Sequence, residues 1–210
     1  MNAIRALSQR EKMLPTLSGE QIRPLAAQLA AAEPGATIAV CAGSPGEGVS
    51  TVLVNLAAAL ENPGGRRVLI VDWNVASPRL HACYGLPRGP GASDVFLNTA
   101  RLRHVVYVAE SGTLAVLPAG NKTSADPARL LSADGFASLL PSLRDMGFDV
   151  VLIDLPSLLA WPEAVTIAAR CTKTLIVVRA GKTTKDDARN VRDRLHNAGA
   201  NIAGVVLNMH

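Results

Sequence analysis

A chain of 210 residues, 49% hydrophobic but only 3% aromatic, has the length for one domain whose core is built from Val, Leu, Ile and Ala. Its formal net charge of +4 fits ordinary surface scatter or a site for an acidic ligand, and no nucleic-acid partner is expected. No apolar run reaches the roughly 18–20 residues that span a bilayer, no signal-peptide core follows Arg5, Arg10 and Lys12, and Cys41, Cys83 and Cys171 lack metal-ligand spacing, so the chain reads as soluble, cytoplasmic and reduced.

Residues 1–17 show no strong periodicity and read as an N-terminal arm; residues 18–210 read as a single α/β domain. Ser18-Gly-Glu-Gln21 offers a capping box, Leu25 and Leu29 a short amphipathic helix, with Pro24 better suited to the first turn than the interior and Pro34-Gly35 as the stop. A buried strand follows at about 36–42, and then a helix from about Ser50 to Leu60, on which Val52, Leu53, Leu56 and Leu60 face the core. Arg66 to Asp72 is a second strand tipped by a carboxylate. Within the loop-rich segment 73–103, Ser93 to Leu97 reads as a short helix with a serine cap. Residues 104–109 and 113–118 alternate apolar and polar, as in an edge hairpin or two short strands. A helix is expected over 126–146, with Asp126 as cap, Pro127 in first position and Pro141 kinking or dividing it. Phe148 to Asp154 is the clearest buried strand and again ends in a carboxylate. Glu163–Arg170 reads as helix, Thr174–Arg179 as strand, Thr184–Asn197 as a charged helix and Ile202–Asn208 as the last strand. Strands alternating with helices predict a mainly parallel sheet covered on both faces.

The stretch Gly43-Ser-Pro-Gly-Glu-Gly48-Val49-Ser50-Thr51 carries the chemistry. It places Gly43, Gly48 and Ser50 at the spacing of a phosphate-binding loop, G-x-x-x-x-G-K-[ST], between a strand and a helix. Such a loop curls backbone N–H groups around a phosphate at the positive end of the helix. The lysine position, however, holds Val49. In P-loop hydrolases the loop hydroxyl and a strand-end Asp hold Mg²⁺ against the phosphates. Ser50 and Asp154 are placed for those jobs. Asp72 lies at the same sheet edge, where such an Asp is as often a helix cap or loop anchor.

These blocks resemble the cytoplasmic kinase domain of bacterial tyrosine kinases from capsule and exopolysaccharide loci, within the MinD/ParA group of P-loop ATPases. Ser44 to Thr51 is similar to the family's S-P-G-E-G-K-S-T. Val68-Leu-Ile-Val-Asp72 with Pro78-Arg-Leu-His81, Val116 to Gly120, Phe148 to Pro156, Val177-Val-Arg179 and Gly204 to Asn208 follow in the family's order. The resemblance implies a nucleotide site for ATP or ADP at Gly43, Gly46, Gly48, Ser50, Thr51 and Asn208, the last facing adenine. It implies Mg²⁺ on Ser50 and Asp154, and Asp72 and Asp154 as catalytic carboxylates if the protein is active. It also implies a partner in the cytoplasmic part of a membrane chain-length or export protein, with homo-oligomers a further possibility. The family's E-x-x-R-x-x-R oligomerisation motif is only partly matched, by Glu20 and Arg23, with Ala26 third.

The departures fall on the chemistry. Val49 replaces the loop lysine, Asn74 stands at the second Asp of D-x-D, and the only tyrosines are Tyr84 and Tyr107. The expectation is therefore a kinase-like P-loop protein with weak or no ATP turnover. Arg79, Arg179, Lys182 and Lys185 are the cations that could rescue an ATPase or kinase instead. A MinD/ParA-like positioning ATPase is the third reading. Against it, Ser44 occupies the place of that group's extra loop lysine, and no amphipathic helix follows Asn208.

Overall fold

A computed structural model describes residues 5–6, 19–30, 33–61, 66–121 and 127–209. In chain order these form β1 (Arg5–Ala6), α1 (Gly19–Ala30), β2 (Ala36–Ala42), α2 (Val49–Glu61), β3 (Val68–Asp72), α3 (Leu80–Cys83), α4 (Ala92–Phe96), α5 (Leu102–Val105), β4 (Tyr107–Val108), β5 (Leu114–Leu117), α6 (Pro127–Leu130), α7 (Ala133–Arg144), β6 (Val150–Asp154), α8 (Glu163–Arg170), β7 (Lys173–Arg179), α9 (Lys185–Asn197) and β8 (Ile202–Asn208).

Among the described residues the strands make one sheet in the order β1-β4-β5-β3-β6-β2-β7-β8. Every pairing is parallel except β4 with β5. Every residue of β2, β3 and β6 is buried, because helices cover both faces and leave no polar side for a strand to show. One apolar cluster, on the α1 and α2 side, holds Leu29, Ile38, Leu53, Leu56 and Ile70. The other, on the α7, α8 and α9 side, holds Trp73, Leu117, Phe136, Ile153, Ile167 and Leu195. Burial pushes the thiols of Cys41 and Cys171 up, so both are neutral packing groups. Among the described residues no helix is long and apolar enough to cross a membrane.

Several local expectations change. Pro24 lies inside α1 rather than in its first turn. The long helix divides at Leu131–Ser132, not at Pro141, which sits within α7. The Ser132 side chain accepts from Gly135 N–H and so starts a new helix there. Asp126 lies outside the described residues. Gly91, not Ser93, precedes the first turn of α4, where the Asp94 carboxylate accepts from Gly91 N–H at 2.8 Å. The antiparallel pair forms, but β5 is interior, between β4 and β3. Residues 102–105 are helical. In the arm, Arg5–Ala6 pairs with Tyr107–Val108.

Candidate functional site

The carboxyl ends of β2, β3, β6 and β7 open on one cleft of about 420 Å³, lined by the loop after β2, the segment after β3, Leu155 to Ser157, Trp161, Arg179 and Asn208. This is where a parallel sheet presents helix N-termini and loop amides to a ligand.

Gly46 (φ +78°) and Gly48 (φ +93°) give the loop its curl, in a backbone region that residues with a Cβ rarely adopt. Gly48 also has no space to spare, since a Cβ there would fall 2.0 Å from Asn208 Nδ2. That amide donates to Glu47 O at 3.0 Å, so Asn208 positions the loop from the last strand. Gly43 plays a different part. It is buried away from the cleft lining, and a Cβ on it would meet Val191 and Leu159. Ser50 and Thr51 line the cleft from the first turn of α2. Val49 lines it too, but also packs against the apolar cluster beneath α2.

Ser50 Oγ donates to Asp154 Oδ2 at 2.7 Å. Asp154 is fully buried, and its Oδ1 has no hydrogen-bond partner among the described residues. Burial first, and then the neighbouring Asp72 charge, push the Asp154 carboxyl far above its ordinary value, against the pull of the Ser50 hydrogen bond. Asp72 pairs in register with Asp154 on the next strand. Burial raises it as well, opposed by backbone N–H groups of Leu80, Arg79 and Asn74. Those donors reach it at 3.0, 3.1 and 3.2 Å, which makes Asp72 the anchor of the turn from Asn74 to Leu80. Within that turn Asn74 Oδ1 accepts from Ser77 N–H at 3.1 Å, a job its carboxylate counterpart would do equally well.

The loop is fastened to the end of β7 and the turn after it. Glu47 is 1% exposed; its Oε2 accepts from Ser44 N–H at 3.1 Å and its Oε1 accepts from the Thr183 hydroxyl. Thr183 Oγ1 accepts from Arg179 N–H at 2.7 Å, Arg179 Nη1 donates to Gly46 O at 2.9 Å, and Lys182 Nζ donates to Pro45 O. Of the cations considered above, Arg79 and Arg179 line the cleft, Lys182 touches the loop from its flank, and Lys185 is exposed on the first turn of α9.

The family model for cellulose biosynthesis protein BcsQ matches residues 37–196 of this chain, from the first residues of β2 to the end of α9. The chain belongs to the BcsQ family. This BcsQ-family chain is also 30% identical to the succinoglycan biosynthesis transport protein ExoP of Rhizobium meliloti, over 86% of the chain and 23% of ExoP. It superposes on the kinase domain of the Escherichia coli tyrosine kinase Etk with a TM-score of 0.82 and 26% identity, covering 91% of the chain and 75% of that domain. With the septum site-determining protein MinD of Pyrococcus horikoshii, solved with Mg-ADP, the TM-score is 0.66 at 26% identity, over 82% of the chain and 70% of MinD. The chain spans about a quarter of the length of the first curated tyrosine-kinase relatives it matches. The expected likeness to exopolysaccharide tyrosine kinases on a MinD/ParA-like P-loop fold therefore holds.

The BcsQ-family site fits Mg²⁺ better than it fits a whole triphosphate. A hydroxyl and a buried carboxylate with one unpartnered oxygen are suitable hard ligands for Mg²⁺. The loop curls at Gly46 and Gly48 as a phosphate-binding loop does, but Val49 stands where such a loop carries lysine. Sequence reading missed Glu47, Thr183 and Trp161. Glu47 alone carried a local signal, as a charged residue inside a glycine-rich turn.

Proposed function

We propose that this BcsQ-family chain is a kinase-like P-loop protein of exopolysaccharide assembly. It holds a nucleotide weakly, turns ATP over slowly or not at all, and acts at the inner face of the membrane by contacting the cytoplasmic part of a chain-length or export protein. The observation that carries this reading is Val49, lining the cleft beside the Gly46–Gly48 turn and committed to apolar packing. A lysine–phosphate contact is worth about 1.5–3 kcal/mol, roughly ten- to a hundred-fold in affinity. In phosphoryl transfer a single cation at the developing charge is worth about 10³–10⁵ in rate, so catalysis loses more than binding.

The remaining roles belong to the same proposal, and the Ser50–Asp154 hydrogen bond and the Gly46–Gly48 turn support them. Ser50 and Asp154 would hold Mg²⁺, which when bound neutralises charge on the phosphate oxygens. Gly46, Gly48, Ser50 and Thr51 would receive the phosphates, and Asn208 would stand at the base side of the cleft. The chain's two tyrosines, Tyr84 and Tyr107, are both buried, which argues against either as a phosphate acceptor in the folded protein. The partner reading rests on relatives such as ExoP, named for transport in succinoglycan biosynthesis.

The test is Mg²⁺-ATP turnover and phosphotyrosine detection on the purified chain, alone and with the cytoplasmic part of a co-encoded chain-length protein. Turnover near background with measurable ADP binding is expected. Mg²⁺-dependent turnover abolished by Asp154→Ala would establish the competing reading, an ATPase or kinase with a substitute cation, which the intact Ser50–Asp154 pair favours.

A further inference from the structure

With valine at position 49, the loop has no cationic side chain, and its one charged side chain is acidic. Glu47 is buried within it, and both carboxylate oxygens are engaged, by Ser44 N–H and by Thr183. Taken alone, the loop would carry one negative charge into a site that must receive others. Two cations reach it from the end of β7 and the turn that follows. Arg179 Nη1 donates to Gly46 O and Lys182 Nζ to Pro45 O. The ammonium lies so close that a Cβ on Gly46 would come within 3.0 Å of it.

The carbonyls they hold are the other ends of two loop amides. In a trans peptide unit the C=O and the following N–H point to opposite sides. A cation on Pro45 O therefore backs the Gly46 N–H, and one on Gly46 O backs the Glu47 N–H. Neither N–H has a hydrogen-bond partner among the described residues. Each unit is polarised by the charge behind it, which makes its amide proton a stronger donor. The segment carrying both cations is itself fastened to the loop, because Thr183 bonds Glu47 on one side and Arg179 N–H on the other.

We propose that Arg179, from the edge of the cleft, and Lys182, from its outer flank, supply the positive charge of this site through the backbone, in place of the missing side chain at position 49. The ligand class is a diphosphate-bearing anion. Resting on the reading of the loop as a nucleotide site, the inference explains how such a site can bind without being catalytic. The two cations attract phosphate oxygens and counter Glu47, yet they sit behind the amides rather than between a β- and a γ-phosphate.

Titration calorimetry with ADP and with pyrophosphate tests this on the whole chain and on Arg179→Gln, Lys182→Gln, the double variant, and Arg179→Lys. Glutamine can still donate to the same carbonyl, so these variants remove charge while keeping a hydrogen-bond donor. Each single Gln variant is expected to bind about tenfold more weakly, with the double variant weaker than either, while Arg179→Lys stays within about threefold. Wild-type affinity should also fall as salt rises, because the cations are solvent-accessible. Gln variants that bind like the wild type would refute the flank-charge inference and leave the nucleotide site standing. A wild type that takes neither ADP nor pyrophosphate at millimolar concentration would remove that site, and the inference with it.

Discussion

Asp72 and Asp154 face each other in register across β3 and β6, both fully buried. Their environments differ in one respect that decides where a proton goes. Asp72 accepts three backbone N–H groups, which favour its charged form. Asp154 has one hydroxyl on Oδ2 and no partner on Oδ1. Asp154 is thus the member that holds a proton near neutral pH, and a cation beside Ser50 would displace it.

Burial raises both carboxyls in the folded state, Asp72 to about 7 and Asp154 further still. From about pH 4 upward the unfolded chain has released these protons while the folded one retains them. Their contribution to stability is therefore complete below pH 4 and is lost as pH rises through 7 and beyond. In metal-free buffer, wild type should lose stability between pH 5 and pH 8 relative to Asp154→Asn. Urea denaturation of both proteins at the two pH values measures it. Parallel pH dependences would mean that folding does not raise the Asp154 carboxyl.

Magnesium should reverse that loss. At pH 8, millimolar Mg²⁺ with ADP is expected to raise the Tm of the wild type but not of Asp154→Asn, and to release protons on binding, seen as a buffer-dependent heat. An equal Tm rise in both proteins would place the metal elsewhere.

Asp72 is expected to matter without any ligand. Its Oδ2 accepts from both Arg79 and Leu80 N–H, and in Asp72→Asn an amide group must either face those donors or abandon Asn74 N–H. The variant should lose about 1–3 kcal/mol in chemical denaturation of the apo protein. Unchanged stability with altered turnover alone would instead give Asp72 a role purely at the phosphates.

The sheet was legible because its signals are local. Runs such as Val68 to Val71 and Val150 to Ile153 are apolar throughout, as buried parallel strands must be, and each is followed by the carboxylate that marks the ligand edge. The Gly46–Gly48 turn and Ser50 were legible for the same reason, being fixed by spacing along a few residues. What escaped depends on tertiary partners. Nothing near Glu47 in sequence names Thr183 as its partner, 136 residues away. Gly43 fits the motif spacing, yet its lack of a side chain serves packing against Val191 and Leu159. Pro141 looked like the helix breaker, but the competing signal was Ser132, whose side chain caps the helix that contains Pro141. Trp73, directly after the β3 carboxylate, is fully buried and packs edge-on against Phe136, far along the chain, at 5.4 Å.

The two tryptophans separate core from cleft, which provides an optical assay. Trp161 is half-buried and lines the cleft, whereas Trp73 is enclosed in the core. Titrating ADP should change the emission of the wild type and of Trp73→Phe. Trp161→Phe should lose most of that change while calorimetry still detects binding. A response that survives in Trp161→Phe would assign the signal to a rearrangement of the core.

Val49→Lys is the most direct reversal. Position 49 opens α2 at the cleft, so a lysine can send its ammonium into the cleft while its methylenes cover the apolar surface that valine covers now. ADP affinity is expected to rise roughly ten- to a hundred-fold, the worth of one charge-assisted contact, with a stability cost of about 1 kcal/mol or less. ATP turnover should gain less than a whole missing cation would restore, because Asn74 still stands where a carboxylate is expected and its side chain is committed to the Ser77 turn. Full kinase activity in the single variant would show that Asn74 costs nothing. Affinity unchanged from wild type, with the fold intact, would mean that valine was never the lesion and that the cleft rejects nucleotide for some other reason.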